Sequence, residues 1–196
     1  MTARPKLAPE QQMTIEEFLA FTDTRPEEER WELIEGAPVL NPSPIDFHQI
    51  VVTNIVAFLV RWKIETKASW LPLIGTGTRV PVSVHSLPQP DVMVKERPPT
   101  GSAVSDDGLV LFEVLSKSNT KADQAWRRRV YASVPNCQHY VTVSLRGVEV
   151  VAYDRAASWR PRTTASLAEA LELPALGLAM PVADIYRWTP LGQAEV

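Results

Sequence analysis

The sequence predicts an α/β domain: a β-sheet with two helices packed on it, preceded by a short helix and a hairpin. Three observations carry that prediction. From Asp46 onward, apolar residues recur every three or four positions (Phe47, Val51, Ile55, Phe58, Leu59, Trp62), the period of a helix that buries one face. Leu109–Leu115 is an apolar run with a single carboxylate, Glu113, inside it, the pattern of a strand covered on both sides. The element types interleave (helix, hairpin, long helix, strands, helix, strands), as they do when helices pack on a sheet.

Each element has its own local cause. Residues 1–12 are rich in Pro, Gln and Lys and are expected to fray, as are 189–196, which leaves 13–188 as the domain. Thr14 with Glu17 forms a capping box, so a helix follows through Phe18, Leu19 and Phe21. Arg25–Arg30 is a charged loop. Trp31–Ile34 and Ala37–Leu40 make a hairpin about Glu35-Gly36. Asn41-Pro42-Ser43-Pro44 breaks the chain before Asp46, which is expected to cap the long helix with Gln49 at its third position. That helix should reach Lys67. Trp70–Ile74, Thr78–Val84 (interrupted by Pro81), Asp91–Lys95 and Leu109–Leu115 read as strands. Residues 118–133 read as a helix ended by Pro135-Asn136. His139–Leu145 and Val148–Tyr153 pair about Arg146-Gly147, and 158–188 mixes short strands and loops.

Composition narrows the function. With 196 residues, 45% hydrophobic and 22% charged, the chain builds an ordinary folded core. Apolar stretches such as Ile50–Val60 are too short and too polar to span a bilayer, and no charged-then-apolar leader opens the sequence. One cysteine, Cys137, excludes an internal disulfide framework and a multi-cysteine zinc site. These features predict a cytoplasmic protein without a membrane partner. The net charge of −3 argues against a basic coat for nucleic acid. The charge is uneven, however: residues 1–45 carry a net −5 and residues 113–131 a net +3. A local basic segment in an acidic chain marks either a site for a polyanion or a solvated helix face.

Glu113 is the most informative residue. A carboxylate inside an apolar strand is costly unless it is paired or bound to a metal; the alternative is that it turns onto a wet face, which its apolar neighbours disfavour. Asp91 opens a strand directly after Pro90, where an Asp also serves as a plain turn residue. If the two strands are neighbours, the two carboxylates converge. Together with a backbone carbonyl and water they make a hard oxygen site suited to Mg²⁺ or Mn²⁺. Cys137 and His139 share a strand face, but no orienting acid follows, and the segment reads as core. Gly75-Thr76-Gly77 lacks the lysine and the following helix of a phosphate-binding loop.

Pro90-Asp91, twenty-one residues, then Glu113-Val114-Leu115 resembles the PD-(D/E)XK nuclease motif. Further segments match in order and spacing from about Met13 to Tyr186: Trp31–Gly36, Asn41–Pro44 followed by His48, Pro90–Val92, Glu113–Ser116, Asp123, Tyr131, Leu173–Gly177 and Ile185-Tyr186. On these the chain resembles the Uma-two family of restriction-endonuclease-like proteins. The resemblance implies a mixed sheet flanked by helices. It implies that Asp91 and Glu113 bind a divalent metal, with the Val114 carbonyl as third protein ligand. It further places Glu32 near the site through a water, His48 on a helix beside it, and Asp123 and Tyr131 on the helix after the acidic strand.

The chain departs from the pattern at three places. The superfamily lysine position, two residues after Glu113, is Leu115; the family's helix lysine position, four after Asp123, is Arg127; and Ala37 stands where the family carries a second acid after the hairpin glycine. One turn of helix sets Asp123, Arg127 and Tyr131 on one face. An arginine stays protonated, so it orients water or clamps phosphate but cannot act as a base. Lys95, Lys117 and Lys121 are the other candidate cations for phosphate. For His48 the roles of ligand, base and core residue all stay open. The resulting expectation is a Mg²⁺- or Mn²⁺-dependent endonuclease on DNA, a homodimer because two strands need two cuts. The alternative is a catalytically inactive relative that binds nucleic acid or protein.

Overall fold

The capping box forms as expected: the Thr14 hydroxyl accepts from the Glu17 N–H at 3.2 Å, and the Thr14 N–H donates to Glu17 Oε2 at 2.8 Å. It starts helix α1, Ile15–Thr22, which buries Ile15 and Phe18. The computed structural model describes residues 7–116 and 119–193. The hairpin follows as strands β1 (Arg30–Ile34) and β2 (Ala37–Asn41), paired antiparallel with Ile34 opposite Ala37. Its turn puts Glu35 at φ 50° and Gly36 at φ 83°, the left-handed pair that a two-residue hairpin requires. Gly36 is also crowded: a Cβ there would sit 2.4 Å from Gln12 Cβ. Gly36→Ala is therefore expected to cost about 1–3 kcal/mol, by strain at positive φ and by displacement of Gln12. Urea denaturation measures it, and a loss below about 0.5 kcal/mol would refute the argument.

Helix α2 spans Asp46–Thr66 and ends with Lys67 in the left-handed conformation. Its N-cap is Ile45, not Asp46: the Asp46 carboxylate instead accepts from its neighbour's N–H, that of Phe47, at 2.8 Å. Four more strands carry the chain onward: β3 (Leu71–Ile74), β4 (Gly77–Thr78), β5 (Val92–Lys95) and β6 (Val104–Ser105). The strand expected over Thr78–Val84 is only this two-residue β4. Pro81 has no ladder donor, Val82 and Val84 are exposed, and the segment runs as turns. Strand β7, Gly108–Leu115, is buried almost throughout. Helix α3, Lys121–Ala132, starts at the N-cap Thr120, whose hydroxyl accepts from the Asp123 N–H.

The chain then forms β8 (His139–Ser144), β9 (Val150–Asp154), β10 (Arg160–Thr164), β11 (Ala170–Leu173), β12 (Leu178–Pro181) and a one-turn helix α4 (Val182–Ile185). Six strands make one sheet in the order β10-β9-β8-β7-β5-β3. Only β7 and β8 run parallel, joined by the α3 crossover; the other neighbours are antiparallel. The sheet is thus mixed and flanked by helices, as expected.

Alternation along β7 divides its side chains between two cores. Val110, Phe112 and Val114 pack with α2, α4 and the β11–β12 hairpin. Leu111 packs with Met93, Tyr140 and the α3 residues Val130 and Tyr131. A third cluster joins α1 to β1 through Ile15, Phe18, Leu33 and Leu87. Here the β1 hairpin is tied to the chain before β5: the Leu87 N–H donates to the Leu33 carbonyl at 2.8 Å. The ends are partly built in. Pro9–Gln11 forms a 3-10 turn, and Thr189 is buried with its hydroxyl donating to the Tyr186 carbonyl.

Candidate active site

Sheet register brings the two acids together. Val92 lies opposite Phe112 in the antiparallel β5–β7 pair, so one step further sets Asp91 beside Glu113 on the α3 face. Asp91 is fixed there: the Val114 N–H donates to its Oδ2 at 2.8 Å, and His48 Nε2 lies 3.3 Å from the same oxygen. The N–H and C=O of a strand residue point to the same edge. The Val114 carbonyl therefore faces the Asp91 side, beyond the end of β5.

Glu113 is buried under α3. Its Oε1 accepts from Arg127 Nη1 at 2.8 Å and from the Tyr131 hydroxyl at 2.8 Å. Arg127 also forks onto Glu32, with Nη2 to Oε2 at 2.8 Å and Nη1 to Oε1 at 3.0 Å, and its Nε donates to Asp123 at 3.4 Å. The helical spacing of 123, 127 and 131 produces this row. Glu32 accepts two further bonds, from the Gln89 N–H at 2.7 Å and from Asn41 Nδ2 at 3.0 Å. Four donors fill the lone-pair sites of a carboxylate. The water-mediated place expected for Glu32 is therefore taken; Glu32 is the anchor of Arg127.

Electrostatics separate the two buried glutamates. Burial opposes the charge on both. For Glu32 the forked Arg127 overcomes it, and its pKa stays below the ordinary carboxylate value. For Glu113 burial, together with the negative charges of Asp91 and Glu32, outweighs Arg127 and Tyr131, and its pKa is pushed up to about 8. Arg127 itself is held firmly charged. One guanidinium thus serves three carboxylates, Glu32, Glu113 and Asp123, in a largely buried place. Asp91 lies outside these ion pairs, and its charge helps to hold Glu113 protonated at neutral pH.

Those two acids also keep free oxygens. Asp91 Oδ1 and Glu113 Oε2 meet no donor among the described residues, whereas Oδ2 and Oε1 are spoken for. Among the described residues no three His, Cys, Asp or Glu side chains gather as a metal cage. The donors available to a cation are two carboxylates and a carbonyl, with water completing the shell. All are hard oxygens, and this set fits Mg²⁺ or Mn²⁺ better than zinc.

The structure thus gathers Glu32, His48, Asp91, Glu113, Val114, Asp123, Arg127 and Tyr131. It does not bring in Lys95. That residue lies four positions along β5, roughly 13 Å away at strand rise, buried with its ammonium 3.1 Å from Asp107. As a phosphate contact it is corrected to an internal ion pair. Lys121 is exposed at the start of α3, outside the cluster, and Lys117 lies outside the described residues. Cys137 is buried, with its thiol pKa pushed up to about 12, so it forms no nucleophile with His139. His139 instead bridges Asp154 and the Ala175 N–H. Two contributors escaped the sequence reading. Asn41 belongs to the break before the helix and to a segment that carries the resemblance, neither of which assigns it a role, and the Gln89 contribution is a backbone N–H, which no side-chain pattern signals.

The comparisons with known proteins agree with this architecture. The family model Uma2, described as "Putative restriction endonuclease", matches residues 15–183. Among solved structures, the chain is similar to the crystal structure of "a putative nuclease belonging to DUF820" from Anabaena variabilis ATCC 29413. The TM-score is 0.72 at 14% sequence identity, covering 90% of this chain and 98% of that one. No curated protein matches the chain in sequence.

Proposed function

The chain belongs to the Uma2 family of restriction-endonuclease-like proteins, and from that premise we propose that it hydrolyses DNA phosphodiester bonds with a divalent cation. The reading rests on one observation above all: the donor-free oxygens of Asp91 and Glu113, adjacent on neighbouring strands. These two and the Val114 carbonyl would hold Mg²⁺ or Mn²⁺. Such an ion lowers the pKa of a bound water and offsets charge on a phosphoryl group.

The chain's own residues do the rest. The Val114 N–H and His48 aim Asp91, so that one oxygen is oriented and the other is left for the cation. Tyr131 and Arg127 do the same for Glu113. Arg127 has one N–H on Nη2 without a partner among the described residues, and this is its means of meeting a phosphate oxygen. Cleavage of both strands calls for a homodimer. Among the described residues no helix is long and apolar enough to cross a membrane.

One observation favours a second reading. Arg127 is committed on every nitrogen to Glu32, Glu113 or Asp123, so the guanidinium fills the place of a mobile lysine. A disarmed relative that binds nucleic acid or protein would keep this arrangement. One experiment separates the two: supercoiled and linear DNA incubated with Mg²⁺, Mn²⁺ or EDTA, with Asp91→Ala and Arg127→Lys alongside. The nuclease reading expects metal-dependent cleavage, lowered about 10³-fold or more in Asp91→Ala. Cleavage by Arg127→Lys alone means a disarmed enzyme. Absence of cleavage in both, with no Mn²⁺ uptake by calorimetry, sinks the nuclease reading.

A further inference from the structure

The parallel register of β7 and β8 sets Leu111 beside Tyr140 and Glu113 beside Thr142. Laterally paired residues project to the same face, with backbones roughly 4.8 Å apart. Thr142 is thus the strand neighbour of the Glu113 carboxylate. Its own neighbours Val141 and Val143 belong to the opposite core. A valine would occupy the position with nearly the same shape. Instead there is a hydroxyl on a residue 5% exposed, with no hydrogen-bond partner among the described residues.

Two residues earlier on the same face, Tyr140 is fully buried, and its hydroxyl also has no partner. The Tyr140 ring lies 5.3 Å from that of Tyr131, whose hydroxyl holds Glu113. Buried polar groups are nearly always paired, because an unpaired one costs stability. The Tyr140 hydroxyl is such a group; with the partner-free Thr142 hydroxyl, which keeps some access to solvent, and a carboxylate oxygen that also lacks a donor, it supplies the several polar partners a bound water needs.

We propose that Thr142 is a positioning residue for the phosphodiester hydrolysis, holding with Tyr140 the water that lies against Glu113. The inference rests on the nuclease reading above. Its test compares Thr142→Val and Thr142→Ser with wild type in three measurements: melting without metal, Mn²⁺ uptake by calorimetry, and kcat and KM on DNA. Thr142→Val should melt within about 2 °C of wild type, since a methyl of nearly the same shape replaces a hydroxyl that bonds no protein group among the described residues. Its kcat should fall about tenfold or more with KM within about threefold, and its Mn²⁺ affinity should weaken. Thr142→Ser should restore kcat to within about threefold of wild type. Wild-type kcat and Mn²⁺ affinity in Thr142→Val would overturn the inference and leave the nuclease reading standing. So would a lowered melting temperature with intact kcat, which makes the hydroxyl structural. Wild type that neither cleaves DNA nor takes up Mn²⁺ removes the nuclease reading, and this inference with it.

Discussion

Replacement of Arg127 by methionine is expected to cost about 3–5 kcal/mol of folding stability, the range for removing one partner of a buried ion pair. For a chain of this length that lowers the melting temperature by roughly 6–20 °C. The cause lies in what is left behind. Arg127 and Glu32 are almost fully buried, and the guanidinium makes both of its forked bonds to Glu32 while bridging to Glu113. Methionine fills the volume but leaves Glu32 charged in a site it cannot leave. Glu113 can relieve itself by taking a proton; Glu32, with four donors arranged for its ionised form, cannot do so without wasting them. Adding Glu32→Gln to Arg127→Met should therefore recover part of the loss, because the stranded charge is gone. Thermal melting of the single and double variants decides it. A single variant within about 2 °C of wild type would mean that the network carries no net stabilisation.

This network also shows what the amino-acid pattern could and could not reveal. The helix face of Asp123, Arg127 and Tyr131 followed from helical spacing alone, because three- and four-residue steps fix neighbours without any long-range information. The nearness of Asp91 to Glu113 needed one additional fact, that their strands are neighbours, and that fact came from family likeness rather than from periodicity. Glu32 was placed near the site, but its saturation was not legible. Two of its four bonds come from an asparagine read as a chain break and from a backbone N–H at Gln89.

Lys95 shows the opposite failure. Alternation correctly put it on the face of Asp91, yet a strand face is long, and its partner Asp107 lies ten or more residues onward, across a turn. The two-residue β4 failed for a related reason. Thr78–Val84 alternates like a strand, but Pro81 removes the ladder donor, and Val82 and Val84 stay exposed. Periodicity reports which side chains agree with burial; it does not report whether a neighbouring strand is there to bury them.

Replacement of Glu113 by glutamine tests the chemistry of the site through its pH dependence. Burial, with the charges of Asp91 and Glu32, raises the folded pKa of Glu113 to about 8, from the usual 4.5. A raised carboxylate favours folding in its protonated form. Its contribution is complete below the unfolded value and is lost as pH rises toward the folded one. Glu32 runs the other way: its pKa is lowered, so its contribution is present above the unfolded value and fades only as acid titrates it in the fold. Between about pH 5 and 8, Glu113 is then the residue that makes the metal-free protein less stable as pH rises. The melting temperature should fall across that window in wild type relative to Glu113→Gln, because glutamine cannot ionise but still accepts from Arg127 and Tyr131. A divalent cation reverses the sign. It needs the ionised carboxylate, so Mn²⁺ should raise the wild-type melting temperature more at pH 8 than at pH 6. In Glu113→Gln this increment should vanish, and cleavage should drop about 10³-fold or more. A wild-type melting temperature that does not fall relative to Glu113→Gln between these pH values would show that Arg127 keeps Glu113 ionised. An Mn²⁺ increment that survives in Glu113→Gln would place the cation elsewhere.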